Sequence, residues 1–409
     1  MLDHPARMIE ITGAAPGNKG AWQMLLAVQA DLADGPEPPQ FCMEPGRDYP
    51  ARAGAGLWQV YPAMRLRNAF DMRLRLLRAA ALGSLRSAPA LRRYGMVRLR
   101  DIDALVDVSG SVFSDHWPIG WTEAFLELAR NYRRRGAPVL LLPQMFGPYR
   151  DPARIKAIRE LVATCALVFA RDRFSLQNLT AAAGAQPHVR WAPDITIFHD
   201  PPPELRQAAA AERERNGHYA CLVPNARILD QGRDAWGGCY VERMAATARW
   251  LQARGLRARI VLHETKGQDR PLADAIRQAA GDPAPELVYE ADPWRLKALI
   301  GASRLLVASR FHSLVAALAA GVPAVALGWA HKYDGLLADF DAQELQHRPA
   351  DSGDQLLEML APLLDDAAWN RWHGRLAAAR ARMAPANAEM WRDVRAALGL
   401  AAPAANPAP

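Results

Sequence analysis

No stretch of this 409-residue sequence approaches the roughly 18 consecutive apolar residues that a bilayer-spanning helix needs. The opening residues, MLDHPARMIEITG, carry an acid early and lack an apolar signal core, so no secretory leader is expected. Cysteine is scarce. Cys42, Cys165, Cys221 and Cys239 lie far apart, without disulfide or zinc spacing, and each is expected to pack as a small hydrophobe in a reducing compartment. No His, Cys, Asp and Glu cluster has metal-ligand spacing, so neither a metal nor a cofactor is expected. Lysine is rare as well, five against 45 arginines. These absences leave a cytoplasmic protein as the expected class.

The length points to two domains, and with half of its residues hydrophobic the chain can bury a sizeable core. The net charge of +7 is uneven: from Arg65 to Arg100 stand ten arginines and one acid, Asp71, a local +9 that leaves the rest at −2. Leucine, methionine and phenylalanine interleave with those arginines. A basic amphipathic segment of this kind suits an anionic membrane surface, giving peripheral contact at the inner face of the membrane. The plainer reading, a solvated helical face on an arginine-rich chain, stands beside it. No recognised motif accompanies the charge, so nucleic acid is not expected as a partner.

Short apolar runs alternate with helix-like stretches: ALVDVSG, APVLLLPQ and ALVFARD in the first half, then YACLVPN, ARIVLHE, RLLVASR and PAVALGW. Such runs between amphipathic helices predict parallel α/β sheets covered on both faces. A proline- and charge-rich segment, 201–217, is expected to link an N-terminal Rossmann-like lobe over 1–200 to a C-terminal one over 218–348. Helices are expected over 349–400 and a disordered tail over 401–409. The expected fold class is therefore α/β, two lobes with parallel sheets facing a cleft and a helical C-terminal segment.

Polar residues recur where these apolar runs end. SRFHS sets Ser309, Arg310 and His312 after one strand, and the next run ends before Lys332. Parallel sheets bind ligands at the carboxyl ends of their strands. Arginine grips carboxylate or phosphate in two-pronged fashion, and histidine moves protons near neutral pH. GAAPGNKGAW places Asn18, Lys19 and Gly20 before a helix starting near Ala21, where backbone amides face an anion. DVSGSVFSDHW offers Ser109 and Gly110 for close approach, with Asp115 or His116 as a base toward a sugar hydroxyl. Gln144 follows a buried strand, and Arg171-Asp172 the next, with Ser175 as a helix cap; Asp194 follows another. His263 and Glu264 end a strand in the second half. For each of these a structural reading, turn or cap or local ion pair, competes with the functional one.

In this order the motifs resemble the polysaccharide pyruvyl transferase family. The likeness runs from Asn18-Lys19-Gly20 through VDVSGS, LLPQMFGP, FARDRFS and APDI to LHE and SRFHSLVAALAAGVPAVALGWAHKYDG, touching most of residues 13–344. The resemblance implies a GT-B-like fold of two Rossmann-type lobes, the first on the acceptor side and the second on the donor side. It also implies transfer of the pyruvyl unit of phosphoenolpyruvate onto two hydroxyls of a glycan, or of its lipid-linked precursor, as a ketal. Arg310 and His312 match its donor-binding and catalytic positions, Lys332 its basic residue after the next strand, and Arg171-Asp172 a recurring motif assigned here to the donor. Two positions depart from the family pattern. Ala21 stands where relatives often carry an acid, and Ser109 where many carry a second glycine.

The expected reaction needs an acid and a base: His312 is the acid, with Asp115, His116 or Glu264 as base. Arg310, Lys332, Arg171 and Ser309 bind the donor. Asn18, Lys19, Gly20, Ser109, Gly110, Gln144 and His263 line the acceptor side or its loops. Two alternatives remain: a GT-B glycosyltransferase using a nucleotide sugar, and a non-catalytic binding protein of envelope assembly.

Overall fold

Short apolar strands organise two parallel sheets in the computed structural model. The structure describes all residues except 1–5, 47, 62–68, 86, 230–235, 237, 265–266, 329–330 and 402–409. The first sheet holds β1 (Met8–Thr12), β2 (Gln40–Met43), β3 (Trp58–Tyr61), β4 (Met96–Arg98), β5 (Ala104–Asp107), β6 (Val139–Gln144), β7 (Leu167–Ala170) and β8 (Val189–Trp191). Their spatial order is β4-β3-β2-β1-β5-β6-β7-β8. The second holds β9 (Tyr219–Val223), β10 (Arg257–Leu262), β11 (Glu286–Tyr289), β12 (Leu305–Ala308), β13 (Ala324–Leu327) and β14 (Gln346–His347), in the order β11-β10-β9-β12-β13-β14. Each paired neighbour runs parallel. Strand order therefore reverses at β1/β5 in one sheet and at β9/β12 in the other, and such switch points open a crevice at the strands' carboxyl ends.

The seven apolar runs of the sequence are β5, β6, β7, β9, β10, β12 and β13, each buried along nearly its whole length. Edge strands β4, β8, β11 and β14 are short and partly exposed, so they carry no apolar run to betray them. Cys42, Cys165 and Cys221 are buried, and burial pushes their thiols up.

The chain divides into two units. One comprises 1–16, 24–194 and 385–409, the other 17–23 and 195–384. The expected linker is instead a helix, Pro203–Asn216, opened by proline at its first position and built largely from alanine, glutamate and arginine. It belongs to the second unit, where Glu212 accepts from Arg259 of β10 at 3.1 Å. The C-terminal helices follow as Gly353–Leu360 and the 32-residue Asp366–Ala397. His373 holds the latter to Gly321 in the second unit, and Asp393 holds it to Arg190 in the first. The expected tail lies outside the described residues apart from Ala401.

Candidate active site

At the β9/β12 switch point the second unit brings Ser309, Arg310 and His312 to one crevice. β12 stops at Ala308, and helix Phe311–Ala319 starts two residues later with Arg310 at its N-cap. That helix is buried on nearly all sides, which is why its sequence is small and apolar, and its positive dipole end points out of the sheet. Ser309 is fully buried. Its carbonyl accepts from Asn225 Nδ2 at 3.0 Å and from Tyr333 Oη at 2.8 Å, and its hydroxyl lies 2.7 Å from Tyr240 Oη. It positions the turn and has no surface to offer a donor.

Arg310 Nε and Nη2 donate to Asp269 Oδ2 and Oδ1 at 2.8 and 2.5 Å. Asp269 is fully buried and also accepts from the Ala226 amide at 2.8 Å. This two-pronged grip fixes the plane of the guanidinium.

Residues 17–23 fold with this unit, so the Asn18-Lys19-Gly20 turn, expected with the first lobe, stands beside His312. A Cβ at Gly20 would lie 2.1 Å from His312 Nδ1, so only glycine lets the start of helix Lys19–Ala33 approach the imidazole. Asn18 pairs with Glu264 through an isolated bridge. Lys19 is 1% exposed and donates to the Leu262 carbonyl at 3.1 Å. Burial lowers its pKa to about 8; Glu290, Glu264 and Asp269 oppose the shift and Arg310 adds to it. His263 is buried beside these cations, and burial first, then Arg310, Lys19 and His312, hold it well below the usual imidazole range. Glu264 Oε1 accepts from the Asp269 amide at 3.1 Å. Lys332, on helix His331–Asp339, lies 5.9 Å from the Phe311 ring, whose edge meets His312 at 5.4 Å.

The first unit builds a second polar cluster at its own β1/β5 switch point. Asp107, 2% exposed at the end of β5, accepts from Thr12 Oγ1 at 2.9 Å, from the Ser109 amide at 3.1 Å and from Gln144 Nε2 at 3.2 Å. Ser109 Oγ lies 2.6 Å from Asp107 and 2.9 Å from Gln144. Burial still raises the Asp107 carboxyl above its ordinary range. Gly13 has φ +86°, and a Cβ there would meet the Ser109 amide at 2.3 Å. Gly110 follows with φ +75°.

Several residues singled out from the sequence have different partners. Asp115 was a candidate base, but its Oδ1 pairs with Arg154 at 2.8 Å and its Oδ2 accepts from the Arg150 amide at 2.7 Å, so it braces a loop. His116 is exposed on the same turn, in the first unit. Arg171 pairs with buried Asp194 at 3.3 Å, in the first unit, while Asp172 caps helix Arg173–Ala183. Ser175 donates its amide to that cap. Of the expected bases, Glu264 alone lies in the same unit as Arg310 and His312.

Asp269, Asn225, Tyr240 and Asp107 were not singled out from the sequence. Asp107 lies inside the run ALVDVSG and Asp269 five residues beyond ARIVLHE, but their partners are 95 residues away for Thr12 and 41 for Arg310.

Among known proteins, the family model described as polysaccharide pyruvyl transferase matches residues 55–331, more than half of the chain. The chain belongs to the polysaccharide pyruvyl transferase family. It is a transferase of polysaccharide biosynthesis, acting on a glycan acceptor and a donor substrate. No curated protein matches the sequence. Solved structures show the fold of this pyruvyl transferase family member to be GT-B-like. HepE of Anabaena, in complex with UDP and glucose, aligns with TM-score 0.58 at 12% identity, over 96% of this chain and 100% of that one. MnaA of S. aureus, with UDP, aligns at 0.62 and 10% identity, over 97% and 98%. A glycosyltransferase from Rickettsia africae aligns at 0.56 and 13% identity, over 96% and 99%.

Proposed function

We propose that the protein transfers the pyruvyl group of phosphoenolpyruvate to a sugar of a cell-surface polysaccharide or its lipid-linked precursor, forming a pyruvate ketal, in the cytoplasm. The observation that carries this reading is the convergence, at one switch point, of the Asp269-held Arg310 fork, His312 and a helix N-terminus. Phosphoenolpyruvate brings a carboxylate and a phosphate, about three negative charges at neutral pH. The guanidinium of Arg310 and the ammonium of Lys332 supply fixed positive charge for them, and Lys19 adds field from beneath.

His312 delivers a proton to the methylene carbon while an acceptor hydroxyl bonds to the adjacent carbon and gives its own proton to a base, for which Glu264 is the candidate. The adduct then loses phosphate, which leaves with the proton held by Glu264, as a second hydroxyl of the sugar closes the ketal ring and gives its proton to His312. No protein group is consumed. The donor and the acceptor diol account for every atom of ketal and phosphate.

The test is a titration of the protein with phosphoenolpyruvate and with UDP- and GDP-sugars, together with phosphate release in the presence of candidate glycans. Stabilisation by phosphoenolpyruvate and release of phosphate are expected. The likeness to UDP-bound folds favours a second reading, nucleotide-sugar transfer. Stabilisation by a nucleotide sugar and none by phosphoenolpyruvate would establish that reading in place of the first. His312→Gln keeps a polar side chain but cannot cycle a proton. Donor affinity is expected to persist while turnover falls by about 10²–10⁴-fold. Near-normal turnover would remove His312 as the acid.

A further inference from the structure

Helix Ala69–Leu85 has two apolar stripes and covers only one of them. Met72, Leu76 and Ala79, spaced by four and three residues, face inward and join the core of the first unit. There the helix packs on helix Ile119–Arg134, and Arg73 donates to Glu127 at 2.9 Å. Phe70, Leu74 and Leu77 have the same spacing but begin two residues earlier, about 200° round the helix. They are 69%, 52% and 69% exposed. A helix that is apolar on both faces is ordinarily buried on both. Trp121, on the helix beneath, is exposed as well, and Tyr94 stands exposed between the exposed arginines of the following turn and the strand β4.

Charge identifies what covers the open stripe. Arg78 borders it, with half-buried Arg75 further round the helix, and the segment from Arg65 to Arg100 sums to +9, with Arg73 and Arg98 paired to Glu127 and Asp101. A second copy docked through the same face would set these arginines against their own kind. An anionic bilayer complements both features: leucine and phenylalanine enter the boundary between head groups and acyl chains, and arginine stems snorkel so that the guanidinium groups meet lipid phosphates.

We propose that helix Ala69–Leu85 docks the protein on an anionic phospholipid surface through Phe70, Leu74 and Leu77, with Arg75 and Arg78 at the head groups. This surface belongs to the first unit and Arg310 and His312 to the second, and the proposal stands or falls independently of which donor is used.

Full-length protein is sedimented with phosphatidylcholine vesicles and with vesicles containing phosphatidylglycerol, at about 50 and about 500 mM salt, so that screening differs. Binding is expected to anionic vesicles only and to weaken at high salt. Each arginine near such a surface is worth about fivefold in partitioning, so Arg75→Glu/Arg78→Glu should lower it by at least about 25-fold. Leu74→Ser/Leu77→Ser should lower it by about tenfold or more. Leu74, Leu77 and Arg78 are exposed and Arg75 is half-buried, so melting temperatures within a few degrees of the parent are expected. Absence of binding at low salt, equal binding to both vesicle types, or binding untouched by either variant would overturn the proposal. So would a concentration-dependent dimer that the leucine variant dissolves, since the stripe would then be an interface between copies.

Discussion

Replacing Lys19 by methionine should make the protein more stable and a poorer enzyme. The ammonium is 1% exposed, and burial moves its pKa from the ordinary 10.5 to about 8 despite three carboxylates nearby. Holding the proton at pH 7 therefore costs about 3 kcal/mol relative to the unfolded chain. Methionine has nearly the same length and no charge. It forfeits the hydrogen bond to the Leu262 carbonyl, worth about 1 kcal/mol, so the net gain at pH 7 is about 2 kcal/mol. The sign is fixed by linkage. A base whose folded pKa is depressed is penalised in full below the folded value. The parent should therefore gain stability between about pH 8 and 10.5, where the unfolded chain binds more protons, and the variant should not share that gain. Urea unfolding of both proteins at pH 7, 8, 9 and 10 reads the difference. Donor affinity, measured alongside by titration, should fall severalfold as the field beneath Arg310 is lost. A variant less stable than the parent at pH 7, or a difference that does not shrink toward pH 10, would refute the reasoning.

Other substitutions test neighbouring contacts. Gly20→Ala puts a methyl 2.1 Å from His312 Nδ1, so turnover should drop by at least about tenfold as the imidazole is displaced, while circular dichroism stays native; kinetics with the parent's phosphoenolpyruvate Kd as control decide it. Asp269→Asn sets an amide N–H₂ against an Arg310 donor, and the broken buried pair should cost about 3 kcal/mol of stability in urea titrations. In the first unit Glu10 is buried beside Tyr132, and burial raises its carboxyl to about 7. An acid raised in the fold loses stability between its ordinary 4.5 and about 7. Glu10→Gln should therefore match the parent near pH 4.5 and exceed it by about 2–3 kcal/mol above pH 7, as melting scans across that window will show.

The sequence alone determined the parallel α/β character, because buried strands must be continuous apolar runs and such runs are visible one at a time. It also determined the polar residues at the ends of β10, β12 and β13, since each follows directly on its run, and hence the family. Edge strands β4, β8, β11 and β14 escaped because short, half-exposed strands need no apolar signature. Tertiary structure decided which partner each polar residue took. Asp115 and Arg171 pair with Arg154 and Asp194 in the first unit, whereas Arg310 pairs with Asp269 and Glu264 accepts from the Asp269 amide in the second, the unit that holds His312. It decided that the Asn18-Lys19-Gly20 turn folds against His312, a contact spanning nearly 300 residues that only the missing Cβ of Gly20 permits. It also decided that the arginine-rich helix turns Phe70, Leu74 and Leu77 outward. Two apolar stripes on one helix are alike in sequence, and only packing against helix Ile119–Arg134 selects the buried one.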